Sequence, residues 1–98
     1  MSDVEPVFVA IREAAEKSVW SKGVELTRTG TISGRGIDGQ AVLLAVAAAG
    51  ALTSRSVILY LDDEEWQCDC GGDDDPCEHV TAGAIALKKA RSQGKQLP

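Results

Sequence analysis

The sequence predicts an α+β fold: an N-terminal helix, a small antiparallel β-meander, and a Cys-x-Cys turn followed by a C-terminal helix that carries Cys-x-His. Three observations predict it. Apolar residues recur at helical spacing near the N-terminus, and short alternating or β-branched runs separated by glycine come next. All three cysteines and the lone histidine then fall together, just ahead of a second helical pattern. At 98 residues there is room for one domain, and none for a catalytic barrel of roughly 250 residues.

Taken in order, Val4, Val7, Phe8, Ile11, Ala15 and Val19 give a helix over about 5–21, with Arg12, Glu13, Glu16 and Lys17 mostly on its other face. Pro6 suits a first turn, and Gly23 reads as the stop. Val24 and Leu26 alternate with Glu25 and Thr27, a short strand. Thr31 and Ile32 belong to a second strand, which Asp38-Gly39 turns into a hairpin with a strand starting near Gln40. Residues 41–49 pull two ways. Their alanines suit a helix, whereas their place between hairpin-like segments favours a strand, and strand is preferred. Ser56 to Leu61, β-branched and aromatic, is a strand. Asp75-Pro76-x-Glu78 has the pattern of a helix start with Asp75 as cap. Val80, Ala84, Ile85 and Leu87 then form an apolar stripe among small residues suited to close packing.

Gly34-Arg35-Gly36-Ile37-Asp38-Gly39 matches G-x-G-x-x-G, the fingerprint of a dinucleotide-binding turn. The residues before it are too polar for a buried parallel strand, and Asp38 would sit where a pyrophosphate must go. Too little chain remains for a parallel sheet. A glycine-rich hairpin is the better reading.

The net charge of −5 hides an uneven distribution. Residues 1–61 are balanced, residues 62–78 hold nine acids and no base, and residues 79–98 hold four bases and no acid. Overall acidity argues against non-specific coating of nucleic acid, which needs a basic surface to displace counterions. The N-terminus is acidic where a secretory signal would be basic, and the longest apolar run, Ala41 to Leu52, falls short of the ~20 residues that span a bilayer. A cytoplasmic location is therefore expected, and there clustered cysteines favour metal or catalysis over disulfides.

Cys68, Cys70, Cys77 and His79 are spaced C-x-C-x6-C-x-H, so every soft nitrogen or sulfur ligand lies in one short window. A structural tetrahedral zinc site uses four such ligands. Cys68 and Cys70 share a side if they end a strand, and Gly71-Gly72 lets the chain turn back sharply. Residues i and i+2 of a regular helix point about 200° apart. The helix should therefore begin at Cys77, in an irregular first turn, with His79 on its inner face. A Cys68–Cys70 disulfide would span one residue and be strained, and core cysteines are not usually set among aspartates. The chemical alternative is a Cys3His iron–sulfur cluster, an electron-transfer or sensor site. The CDGSH-type proteins also begin with C-x-C but close with C-D-G-x-H, whereas this chain has Cys77-Glu78-His79.

Val57-x-Leu59-x6-Trp66-x-Cys68-x-Cys70-x6-Cys77-x-His79-Val80-x-Ala82 resembles a SWIM zinc finger. Trp20-x-x-Gly23-x-x-Leu26 and the strands after it are similar to the region preceding SWIM fingers in bacterial proteins, where the module often precedes a SWI2/SNF2-type helicase ATPase. The resemblance implies a single module over 1–92, with the finger proper at 57–90 and a linker or tail at 93–98. It also implies one structural zinc on Cys68, Cys70, Cys77 and His79, with Trp66 packing the leading strand. The implied function is non-enzymatic binding of protein, DNA or both, as an accessory of a larger helicase-like protein. The acids of 62–78 are poorly suited to phosphate, so DNA would have to meet Lys88, Lys89, Arg91 and Lys95, or Arg12, Lys17, Lys22, Arg28 and Arg35, and a protein partner or a downstream domain of the same polypeptide is favoured. Neither a membrane nor a small-molecule substrate is expected.

Overall fold

A computed structural model describes residues 3–70, 75–95 and 97. In chain order they form α1 (Glu5–Ala14), α2 (Lys17–Thr29), β1 (Thr31–Asp38), β2 (Ala41–Ala47), β3 (Arg55–Tyr60), β4 (Glu65–Cys68) and α3 (Glu78–Ser92). The strands make one antiparallel meander in the order β1-β2-β3-β4. One face of this sheet lies against α3, with α1 and α2 packed on α3 in turn. Val42, Leu44, Val46, Val57 and Leu59 from the sheet meet Val80, Ala84 and Leu87 of α3 and Val7, Phe8 and Ile11 of α1 in a single core.

Two expectations for the N-terminal region are corrected. The helix expected over 5–21 is two helices, broken at Ala15 and Glu16, both of which are extended. The short strand at Val24 and Leu26 is instead part of α2, where Val19, Gly23 and Leu26 share the buried side. Geometry requires the break. An unbroken helix over residues 5–29 would be about 37 Å long, against a longest molecular dimension of 33 Å. The break lets α1 and α2 both pack on α3, with Trp20 edge-on to Phe8 at 5.7 Å between ring centroids. Arg12 lies over the Trp20 ring.

Gly23 is therefore no helix stop. A Cβ there would collide with the Thr81 side chain of α3, so the residue is small because two helices cross at that point. Thr27 Oγ1 donates to the Gly23 carbonyl at 2.8 Å, which satisfies the hydroxyl within the helix.

The sheet follows the sequence reading more closely. Residues 41–47 are the strand β2, with Val42, Leu44 and Val46 facing the helices. Asp38 and Ala41 close the β1–β2 hairpin around Gly39 at φ 61°. The glycines of the G-x-G-x-x-G match thus shape a hairpin strand with a bulge between Gly34 and Gly36. Gln40 joins the two turns at that end of the sheet. Its Oε1 accepts from the Asp62 and Asp63 amides, and its Nε2 donates to Asp63 Oδ2 at 2.9 Å. Among the described residues no helix is long and apolar enough to cross a membrane.

Candidate metal centre

The centre forms where β4 ends and α3 begins. Trp66 pairs with Leu59 and Cys68 with Val57 across the β3–β4 ladder. Asp69 carries the pairing past the end of β4. Its amide donates to the Ser56 carbonyl at 3.2 Å, and its Oδ1 accepts from the Ser56 amide at 3.0 Å. Trp66 and Cys68 fall on one side of β4 and are followed, where the chain bends past the strand, by Cys70, with Gln67 on the other side. Trp66, Cys68 and Cys70 are half-buried against the core.

From the other side, α3 starts at Glu78 and Cys77 is its N-cap, in extended conformation at φ −87° and ψ 175°. The opposed directions of residues i and i+2 are thereby avoided, because Cys77 stands outside the helix while His79 is in its first turn. The expectation that Asp75 caps this helix is corrected. Its Oδ1 accepts from Trp66 Nε1 at 2.7 Å, tying the approach to α3 to strand β4. The Asp75–Pro76 peptide is cis and Pro76 is buried. Cys77 in turn is held by its own carbonyl, which accepts from the Thr81 amide at 3.1 Å and the Thr81 hydroxyl at 3.0 Å. The proposed Gly71-Gly72 turn lies outside the described residues.

The donor atoms of Cys68, Cys70, Cys77 and His79 all lie within 4.8 Å of one another. Cys77 Sγ and His79 Nδ1 are 3.7 Å apart. A tetrahedral ion with 2.3 Å bonds to sulfur spaces its donors about 3.8 Å apart. The group therefore needs a contraction of at most about 1 Å to close on one ion, and the four side chains could hold a single metal.

The electrostatics favour a cation. Burial raises the Cys77 thiol above its usual range, opposed by the amides of Val80 and His79 at the start of α3, which stabilise the thiolate. Burial likewise raises the Cys68 thiol, opposed by the Cys70 amide and reinforced by the neighbouring Cys77. The partly desolvated Cys68 and Cys77 thiols resist losing their protons until a positive ion compensates the charge.

Sequence reasoning found the four donors and Trp66 but missed the roles of Asp69 and Thr81. The C-x-C spacing hides the strand register that Asp69 maintains. Thr81 lies four residues after Cys77, the spacing at which a helical hydroxyl reaches back to a carbonyl. The basic residues of the last helix divide. Lys88 is engaged, with Nζ 3.1 Å from the Glu5 carboxylate and 4.0 Å from the centre of the Phe8 ring. Lys89 and Lys95 are exposed, and Arg91 is half-buried. No known protein family, curated protein or solved structure matches the chain.

Proposed function

We propose that the chain is a non-enzymatic interaction module in which Cys68, Cys70, Cys77 and His79 bind one structural zinc ion. The convergence of the four donor atoms within 4.8 Å carries this reading. Three thiolates and one imidazole fill a tetrahedral shell, so no position is left for the water that a catalytic zinc would activate. The ion would join the end of β4 to the start of α3, consecutive elements of the chain, and so contribute folding energy, about 10 kcal/mol or more in comparable fingers. A two-iron cluster needs its ligands in two pairs, one pair for each iron. Donors gathered about one point support a single ion instead.

The SWIM resemblance supplies the context: an accessory domain of a larger helicase-like protein that binds protein, DNA or both. Elemental analysis of the purified chain should return about one zinc per chain. Chelation at neutral pH should lower its thermal midpoint and loosen the β4–α3 junction. An unchanged far-UV spectrum and midpoint after complete metal removal would overturn the structural role. A coloured protein carrying iron would reassign the site to iron–sulfur.

A further inference from the structure

A groove of about 830 Å³ lies between β1, β2 and the C-terminal end of α3, at the opposite edge of the sheet from the metal centre. Its lining is mostly apolar, with Val42, Leu44 and Leu87 at the base and Ile37 and Leu97 at the sides. The bulge between Gly34 and Gly36 creates it. Ile32 pairs with Val46 and Ile37 with Val42, partners four apart on one face of β2. Ile32 and Ile37 are five apart in sequence and, without the extra residue, would point to opposite faces. The bulge brings Ile37 to the helix-covered side, beyond the reach of the helices, where it is 70% exposed. Gly36 permits this, with φ at 155°.

Among the described residues three cations line the groove, Arg35, Arg91 and Lys95, and no acidic side chain does. In a chain of net charge −5 this is a local reversal of sign. We infer that the groove binds an acidic peptide segment of a partner protein, seating one bulky apolar side chain against Ile37 with flanking carboxylates toward Arg35 and Lys95. Opposite charge steers and orients such a partner, and the apolar anchor supplies the affinity. The groove opens to solvent between the edge strand β1 and the C-terminal end of α3, where a peptide segment can lie along the sheet edge. Among the described residues no aromatic side chain lines it to stack a base, and an aliphatic floor would desolvate phosphates without pairing them. The inference rests on reading the chain as an interaction module, and not on the metal.

The test selects peptides from a displayed random library on the metal-loaded full chain and measures the best binder, synthesised with a fluorescent label. Acidic residues around a Leu, Ile or Phe should be enriched. Arg35→Glu and Ile37→Asp should each weaken binding about tenfold or more, and Lys22→Glu, the same charge change on α2 outside the groove, should leave it unchanged. Arg35 and Ile37 are exposed, so both variants should keep the parent far-UV spectrum and thermal midpoint. Selected peptides whose affinity ignores both groove variants overturn the groove and leave the interaction-module reading standing. A library that yields no acidic, apolar-anchored peptide overturns it too. A labelled DNA duplex that binds and is released by Arg35→Glu assigns the cations to phosphate and overturns the peptide. Zinc content and the response to chelation, measured on the same variants, report on the metal reading separately.

Discussion

Cys77 combines a donor thiol, a helix N-cap and a buried position in one residue. The amides of Val80 and His79 approach its sulfur, an aid to the thiolate that comes from the helix start. Cys77→Ser should therefore lower zinc affinity and thermal midpoint more than Cys70→Ser, with competition against a chromogenic chelator as the readout. The thiols also give the stability a pH dependence whose sign depends on the metal. In the metal-free chain, burial raises the Cys68 and Cys77 thiols above about 9, so the folded state holds their protons more tightly than the unfolded chain. The stability they contribute is full below that pH and is lost as pH rises above it. In the zinc-loaded chain the ligands must be deprotonated, so protons compete and stability falls toward acid. Denaturant titrations of the two forms should show opposite slopes with pH, and zinc uptake at pH 7 should release about three protons per ion. The four donors were legible from the sequence because ligand chemistry depends on residue type and short spacing. The roles of Asp69, Asp75 and Thr81 were not, since each depends on the backbone or ring brought beside it.

Among the elements, α2 shows how much a short pattern can mislead. Val24-Glu25-Leu26-Thr27 alternates like a strand, but two apolar residues two apart sample too little of either period to decide between them. The wider spacing of Val19, Gly23 and Leu26 is helical, and its glycine is explained only by α3. Gly23→Ala should destabilise the chain by about 1–3 kcal/mol, because the added methyl forces α2 away from Thr81. Val24→Ala, on the exposed side of the same helix, should stay within about 0.5 kcal/mol. Denaturant midpoints of the two variants would separate a close helix crossing from a simple helix-propensity effect. For residues 41–47 the alanines misstate the environment: paired on both sides by β1 and β3, a strand with Val42, Leu44 and Val46 inward and Ala41, Leu43, Ala45 and Ala47 on the other face is favoured over a lone helix.

For the whole molecule, α3 is the element that every other element touches. An ion held by Cys68, Cys70, Cys77 and His79 would secure the N-terminal end of that helix, so losing it should weaken α1, α2 and the sheet along with the β4–α3 junction. Thermal unfolding of the chelated chain should accordingly be a single transition, with Trp66 fluorescence beside the site and far-UV ellipticity giving the same lowered midpoint. The sequence by itself determined the α+β class, the Asp38-Gly39 hairpin, the gathering of four candidate metal donors and the segregation of charge. Those follow from side-chain period, turn chemistry and residue identity over a few neighbouring positions. Only the tertiary structure decided that the first helix is two, that Gly23 marks a crossing, that Asp75 holds Trp66, and that a bulge turns Ile37 into a basic-rimmed groove. The length of a helix is limited by the size of the core it must cover, and the tolerance for a side chain by what lies opposite. Neither quantity exists until the elements have packed.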